Sequence, residues 1–378
     1  ESLVVLQDGS GKAGDGSSQW QLQESLESLP IGDEALVAAA ERQPERVKQL
    51  VRTYGIQVKA SAIDAAKNRG HPAAVEALYD ALWDAQPDSH IAVKPVDQRA
   101  KDVSEEKGVG LRYVINEFQS EAVEAISQLP PKEDPTTFYD LRDAFWTCVP
   151  KYVRKGRHKR CPRDGKRGCA LVDTLDSADA KRATIFLSWL WAYTLQDFCD
   201  ALGKWADEKN QNPKDVFLYC CFFCNNQHRI LCEKAARGSD DLAKVFRKRL
   251  KKIGKMIAML DEWNNPRYLK RIWTVFEQHE AMKCRIQVNI ILPDRSSASF
   301  LHALKNGEVG IERVQTALNN VDAQTAEATD PDDAKKVKDL IEGSPGGFKA
   351  LNETVQQCFM DWVTEEFKKM IMSGILTR

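Results

Sequence analysis

Four short runs of consecutive apolar residues lie between residues 184 and 292, and amphipathic stretches separate them. A strand that is covered on both faces needs apolar side chains at consecutive positions, so these runs predict strands of a parallel sheet. The predicted strands are 184–188, 216–223, 256–260 and 288–292, and the predicted helices between them are 195–208, 242–253 and 267–282. Because strands alternate with helices, the pattern predicts right-handed crossovers and an α/β domain over residues 181–295.

The flanks of this domain carry helical patterns. Residues 296–378 predict a helical extension packed on the α/β domain, because apolar residues of the last helix recur at gaps of mostly three and four. That stripe is Phe348, Leu351, Val355, Phe359, Trp362, Phe367 and Met370. At the other end, residues 1–30 are rich in Gly and Ser in their first part and predict a flexible arm. The fold class is therefore α/β with a parallel sheet, an all-α N-terminal region and a helical C-terminal extension.

Residues 31–92 contain two Ala-rich segments that look alike, DEALVAAAERQPERVKQLV and SAIDAAKNRGHPAAVEALY. Val47 and Leu50 in the first recur 28 positions later as Val75 and Leu78. The second segment is similar to an ankyrin repeat, although the usual period is about 33 residues. The alternative is a plain helical hairpin. In either case, we expect this region to bind a protein partner.

Residues 93–180 predict a linker that is followed by helical and basic segments. The basic stretch Lys151–Arg167 has two interpretations: a loop that binds anions or nucleic acid, and a solvated loop. No aromatic residues alternate with the charges, which favours the solvated loop and makes nucleic acid an unlikely partner. Cys161 and Cys169 fit no strong pattern of zinc ligands, so no metal site is assigned.

Composition narrows the classes of function. The formal net charge is −1, from 54 basic and 55 acidic residues, so no overall field favours nucleic acid or an anionic membrane. No apolar run reaches the roughly 18 residues that span a bilayer, and the first residues lack the pattern of a signal peptide. Several of the ten cysteines lie within apolar runs, which is typical of reduced thiols. The expected location is the cytoplasm, without a membrane partner.

Polar and aromatic residues follow the predicted strands. Open α/β sheets bind ligands beyond the carboxyl ends of their strands. Three segments should meet at that edge: Ser188–Trp191, Cys224–His228 and Asp261–Trp263. Trp offers a flat face for stacking, while Asn and Gln donate and accept hydrogen bonds. The sequence therefore predicts a cleft suited to a base, a sugar or a phosphate.

Three sequence blocks resemble those of the heterokaryon-incompatibility (HET) domain, a relative of the TIR (Toll/interleukin-1 receptor) domain. In family order, residues 186–192 (FLSWLWA) are similar to A-L-S-Y-x-W-G, residues 219–227 (YCCFFCNNQ) to W-I-D-A-L-C-I-N-Q, and residues 268–277 (YLKRIWTVFE) to R-x-W-T-x-Q-E. The stretch from Cys161 onward also looks like uncharacterised protist proteins with C-P-R-D-G-x-x-G-C, C-x-N-Q-H-R and Y-L-x-R-x-W-x-x-F-E. The resemblance implies a TIR/HET-like, flavodoxin-like domain.

The chain departs from the family pattern at some positions. Trp189 and Ala192 replace the Tyr and Gly of the first block, and Cys221 replaces the Asp of the second. Arg271 stands where TIR enzymes have a Ser two residues before the Trp of the third block. Cys221 and Cys224 could form a redox or metal pair, but their setting in an apolar run favours packing as small hydrophobic residues.

The resemblance implies specific residue roles. Some TIR-related domains hydrolyse NAD with a Glu that lies on a helix, and Glu277 holds the matching place. The resemblance therefore implies NAD as a candidate substrate. It assigns no cofactor. The candidate nucleotide-binding residues are Ser188, Trp191, Asn226, Gln227, Arg271 and Trp273. The alternative is that Arg271, Trp273 and Glu277 only anchor their helix to the sheet.

Three hypotheses therefore stand. The first is a signalling or scaffold protein whose TIR/HET-like domain self-associates or signals in response to a nucleotide. The second is a hydrolase that cleaves NAD or NADP through Glu277. The third is a nucleic-acid binder that uses Lys151–Arg167.

Overall fold

The chain divides into two compact units, Glu1–Ala92 and Val93–Arg378. The computed structural model describes residues 33–44, 47, 51, 58–71, 73–75, 77–78, 81, 96–157, 159–166, 168–227, 229–230, 239–305, 312–314, 316, 322–328 and 331–372. The predicted arm, residues 1–30, lies outside the described residues.

The smaller unit contains two described helices that pack against each other, α1 (Asp33–Arg42) and α2 (Ala60–Asn68). Their contact is built from Ala and small β-branched residues, because short side chains let helix backbones approach closely. Its fully buried residues include Val37, Ala40, Ala62 and Ala66. Leu50 lies outside the described residues, so the ankyrin-like pairing stays a prediction.

Six strands of the larger unit form one sheet in the order β2-β1-β4-β3-β5-β6. The strands are β1 (Lys107–Gly110), β2 (Ala180–Arg182), β3 (Ile185–Ser188), β4 (Phe217–Tyr219), β5 (Met256–Met259) and β6 (Val288–Ile291). The strands β4, β3, β5 and β6 are parallel, while β1 pairs antiparallel with both β2 and β4. The predicted α/β class and the parallel pairing of the four predicted strands are thus confirmed, whereas the whole sheet is mixed, because β1 pairs antiparallel with its neighbours.

Helices cover the sheet on both faces, which is why every residue of β3 and β5 is buried. The helices are α3 (Gln98–Glu106), α4 (Leu111–Tyr113), α5 (Gln119–Ile126), α6 (Phe138–Asp143), α7 (Pro150–Arg157), α8 (Leu195–Glu208), α9 (Cys221–Cys224), α10 (Ser239–Ile253), α11 (Ile272–Lys283), α12 (Asp294–Lys305), α13 (Pro331–Glu342) and α14 (Gly347–Met372). A π-helical segment, Val114–Phe118, joins α4 to α5, and another, Ala144–Cys148, follows α6.

The last helix is docked as its stripe predicts. Of that stripe, α14 buries Phe348, Leu351, Val355, Phe359 and Met370. It contacts β6, α11 and α13, so the described part of the C-terminal extension belongs to the core of the larger unit. No described helix combines the length and the apolar character that a membrane span requires.

The second predicted strand, 216–223, is wrong in its second half. β4 ends at Tyr219, and Cys221 begins the single helical turn α9. Phe222 and Phe223 are fully buried in an aromatic cluster above the sheet, which explains why the apolar run continues past the strand. Cys221 and Cys224 therefore lie one turn apart on a helix, and they do not point to opposite faces of a strand.

The segment interpreted as a linker contributes the strand β1 to the sheet. The glycines that suggested a loop make this packing feasible. A Cβ atom on Gly108 would lie 2.9 Å from the Leu218 carbonyl oxygen and 2.9 Å from the Ala183 Cβ. Only a glycine fits between these neighbours. Since β1 lies between β2 and β4, the sheet is not confined to residues 181–295.

This packing predicts opposite effects of two glycine substitutions. Gly108→Ala should lower the free energy of unfolding by about 1–3 kcal/mol, because the added methyl group overpacks the sheet. Gly203→Ala, within α8 and with nothing within 4 Å of the added Cβ, should raise it by roughly 0.5–1 kcal/mol. Urea denaturation of the two variants measures both values. A Gly108→Ala variant as stable as the wild type would contradict the placement of β1.

Candidate active site

The carboxyl ends of β3 and β5 lie at the point where the sheet changes direction. From β3 the chain crosses to β4 on one side, and from β4 it returns past β3 to β5 on the other. Crossovers that diverge in this way leave a crevice outside the carboxyl ends of the two strands, where doubly wound proteins bind ligands. Ser188 is the last residue of β3, and Asp261 follows β5.

Ser188 joins two helical segments at this edge. Its side-chain oxygen lies 2.5 Å from Glu277 Oε2 on α11 and 2.5 Å from the hydroxyl oxygen of Tyr268. Gln278 Nε2 donates a hydrogen bond to the same Tyr268 oxygen at 3.1 Å. Ser188, Tyr268 and Gln278 are all buried. Gln278, Tyr268, Ser188 and Glu277 therefore form a chain of four hydrogen-bonded side chains that ends at the Glu277 carboxyl group.

The donors of this chain have one consistent direction. Ser188 has a single hydroxyl proton, which it donates to Glu277, so Tyr268 must be the donor to Ser188. The Tyr268 oxygen in turn accepts the proton of Gln278. Every donor thus points toward Glu277 Oε2. No described residue forms a hydrogen bond with the other oxygen, Oε1, and the side chain is only partly buried.

Burial raises the pKa of the Glu277 carboxyl group to about 8, and the hydrogen bond from Ser188 only partly opposes this effect. The carboxyl group is therefore mainly protonated at pH 7. A carboxyl group with a strongly raised pKa, at the ligand-binding edge of an α/β sheet, is a typical feature of catalytic sites.

Trp191 and Cys221 lie beside this carboxyl group. Trp191 Nε1 donates to Cys221 Sγ at 3.2 Å. Burial raises the pKa of Cys221 to about 12, and the nearby charge of Glu277 contributes to this rise. A thiol with so high a pKa is a poor nucleophile. The Trp191 ring is partly exposed. It stacks on Trp189 with ring centroids 6.5 Å apart and also contacts Phe222 and Tyr139.

Two of the predicted ligand-binding residues have structural partners instead. Asn226 Nδ2 donates to the Gly168 carbonyl at 2.7 Å, and its Oδ1 accepts from the Arg229 amide. Gln227 is buried, and its Nε2 donates to the Cys221 carbonyl at 2.8 Å. Asn226 and Gln227 therefore hold the turn after α9 and do not contact Glu277. His228 lies outside the described residues.

Arg271 and Trp273 lie at the start of α11. Arg271 occupies the N-cap position, and its backbone bridges to Glu327. The Trp273 ring packs edge-on against Phe246 and Phe276, with ring centroids 6.0 and 6.2 Å apart. These contacts fit the alternative that both residues anchor α11. Of the predicted set, the structure thus brings together Ser188, Trp191 and Glu277.

The basic stretch forms ion pairs and hydrogen bonds within the unit. Lys151 and Lys155 bond to Glu124 and Glu121 of α5 at 2.6 and 2.8 Å. Arg163 donates to Ser104 and to the Cys224 carbonyl, and lies 3.7 Å from the buried Asp173. Among the described residues, no group of three or more His, Cys, Asp or Glu is arranged to hold a metal ion.

Sequence reasoning missed Tyr268 and Gln278. It placed Tyr268 in one continuous helix, whereas the structure has a 3-10 turn, Arg267–Lys270, and a break at Arg271 before α11 begins. This break lets Tyr268 reach Ser188, which is 80 residues earlier in the chain. The only available signal was the position of these residues inside and next to the third block.

Comparisons of the chain with protein-family models, with curated proteins and with solved structures found no match.

The raised pKa of Glu277 predicts how stability depends on pH. The folded protein holds this proton more tightly than the unfolded chain, whose carboxyl pKa is near 4.5. Wild-type stability should therefore fall relative to Glu277→Gln as the pH rises from about 4.5 to about 8. Urea denaturation across this range measures the difference. Glu353→Gln, at an exposed site on α14, should show no such trend, and a flat difference for Glu277→Gln would contradict the burial of the carboxyl group.

Proposed function

We propose that the larger unit is a TIR/HET-like signalling domain that binds NAD and cleaves its nicotinamide–ribose bond with Glu277. One observation carries the proposal: Ser188, at the carboxyl end of β3, donates a hydrogen bond to Glu277, and Cys221, which accepts from Trp191, lies near the same carboxyl group. The order of the parallel strands, β4-β3-β5-β6, is the order 2-1-3-4 of flavodoxin-like folds, which supports the kinship drawn from the three sequence blocks.

The carboxyl group suits the chemistry of N-glycoside cleavage. When the C1′–N bond breaks, nicotinamide leaves with the bonding electrons and the ribose gains positive charge. A carboxylate next to the ribose stabilises that charge, and water then adds to C1′ to give ADP-ribose and a proton. Glu277 Oε2 is held by Ser188, so Oε1 is the atom left to face the ribose.

The raised pKa of Glu277 favours a cationic substrate. The nicotinamide ring of NAD carries a positive charge, and an adjacent cation lowers the pKa of a carboxyl group. Binding of NAD should therefore ionise Glu277 next to the ribose whose positive charge it stabilises. The partly exposed ring of Trp191 gives a surface on which a planar base can stack.

The signalling role follows from the same proposal. The helices of residues 31–92 bind a protein partner, and the larger unit responds to the nucleotide or self-associates, in the cytoplasm. The basic stretch is a weaker candidate for nucleic-acid binding, because Lys151, Lys155 and Arg163 already bond to neighbouring groups.

An assay of NAD loss with the purified 378-residue chain tests the proposal. We expect slow conversion to nicotinamide and ADP-ribose by the wild type, and a decrease of roughly 10²–10³-fold for Glu277→Gln, which removes the charge but keeps the size. Glu353→Gln is the matched control and should retain full activity. If the wild type and Glu277→Gln both leave NAD intact, the enzymatic part of the proposal is wrong.

The hydrogen-bond chain predicts a shift in the pH profile. Only ionised Glu277 stabilises a cation, so kcat/KM should rise with pH and level off above about 8. The Ser188 hydroxyl lowers the pKa of Glu277, so Ser188→Ala should move the midpoint to higher pH. Ser120→Ala, at an exposed site on α5, is the control and should leave it unchanged. An unshifted midpoint in Ser188→Ala would contradict the role of the chain.

A further inference from the structure

The strand β6 lies at an uncovered edge of the sheet. Among the described strands it is the last in the sheet order, and β5 is its single neighbour. A groove of about 300 Å³ runs along this edge, with residues 286–292 as its floor and the helices α8 and α14 as its walls. Gln287 is exposed, and Val288, Asn289 and Ile290 are partly exposed. The groove therefore gives access to the strand itself.

The backbone of β6 offers unpaired groups to this groove. The Ile291 carbonyl accepts from the Leu260 amide at 3.0 Å, so Ile291 and Asn289 direct their backbone groups toward β5. Along a parallel strand, successive residues direct their backbone groups alternately toward one neighbour and away from it. The N–H and C=O groups of Val288 and Ile290 consequently point away from β5. No described residue hydrogen bonds to them. They form a ready template for one more strand.

The two walls of the groove differ in charge. Lys204, Glu208 and Lys209 give the α8 wall a net charge of +1, whereas Asp361, Glu365, Glu366 and Lys369 give the α14 wall a net charge of −2. Side chains of an added strand would point alternately toward the two walls. An extended segment with acidic residues on one face and basic residues on the other therefore complements both walls.

The middle of the groove is apolar. Trp205 on α8 and Trp362 on α14 line it, together with Val288 and Ile290 of the floor. Aromatic walls on either side of a strand suit β-branched or aliphatic side chains at the centre of an added segment.

We propose that this groove, called the β6 groove, binds an extended segment of a partner protein, which pairs with β6 as a seventh strand. The segment carries apolar residues at its centre, acidic residues toward α8 and basic residues toward α14. Backbone hydrogen bonds to Val288 and Ile290 supply affinity, and the two charged walls select the sequence and its register.

One ion pair crosses the β6 groove at its end. Lys369 Nζ of α14 lies 2.8 Å from Glu208 Oε2 of α8, and both side chains are more than one-third exposed, at 43% and 37%. Exposed pairs of this kind contribute little to stability, so the entering segment can displace it. Removing Lys369 should therefore make the groove easier to enter.

Amide hydrogen exchange of the free protein tests whether the edge is open. In protein labelled with ¹⁵N-Ile and ¹⁵N-Val, the amides of Val288 and Ile290 should exchange much faster than the amide of Ile291, which bonds to β5. Equal, slow exchange of Ile290 and Ile291 would overturn the proposal, because it would mean that the outer edge of β6 is already paired.

A designed peptide tests the binding itself. The probe is the fluorescein-labelled octapeptide Glu-Lys-Thr-Val-Thr-Val-Glu-Lys, whose odd and even positions match the two walls. Two N-methylated versions carry methyl groups on either the odd or the even residues. Pairing with β6 predicts that only one version loses affinity, by roughly 10-fold or more, because only one set of amides faces the strand.

Variants of the protein complete the test, measured by fluorescence anisotropy. Val288→Pro removes an outward N–H without touching the ladder to β5, and should weaken binding of the probe by a similar factor. Lys369→Ala should strengthen it. Absence of binding by the probe, or equal loss for both methylated versions, would overturn the proposal. So would a wild-type dimer in light scattering that Val288→Pro dissociates, since a second copy would then fill the groove.

Discussion

The hydrogen bond between Ser188 and Glu277 organises the proposed catalytic site of this protein. Ser188 ends the central strand of the parallel sheet, where burial leaves its hydroxyl group no water to bond with. A buried hydroxyl group without a partner is destabilising, so its neighbours must supply one. Glu277 accepts its proton and Tyr268 donates to its oxygen. This requirement ties the helix α11 to β3 across 89 residues of sequence.

Burial, which the same hydrogen bond only partly offsets, sets the electrostatics of the proposed site. A carboxyl group near the core resists ionisation, and one serine hydroxyl is too little to reverse that. Aromatic residues of α6, α9 and the β3–α8 loop pack against one another next to Ser188. Phe138 packs edge-on against Trp189 and Phe222, with ring centroids 4.5 and 5.2 Å apart. Ionisation of Glu277 therefore lowers the stability of the fold, although the proposed reaction needs the ionised carboxylate. Such a conflict between stability and activity is common at functional sites.

The two proposed sites lie on different strands and use different physics. The site at the end of β3 depends on a buried carboxyl group and the hydrogen bonds behind it. The β6 groove depends on unpaired backbone groups at an edge that helices flank but do not cover. The two edges of the sheet differ. One edge is the short strand β2, which carries Lys181 and Arg182, and the other is the strand β6. Charged residues on a short edge strand discourage pairing, so the asymmetry leaves β6 as the edge for a partner.

The sequence by itself determined the alternation of strands and helices, because burial on both faces demands consecutive apolar residues in β3, β5 and β6, and amphipathic helices between them. It also singled out Ser188, Trp191 and Glu277, through their place after strands and within the blocks. Only the tertiary structure decided that Gly108 lies within a strand, since the contact that requires a glycine comes from Leu218 and Ala183. It likewise decided that Tyr268 and Gln278 support Glu277, whereas Asn226 and Gln227 hold a turn. Hydrogen bonds between residues far apart in the chain settled these roles, and no local pattern of apolar and polar residues encodes them.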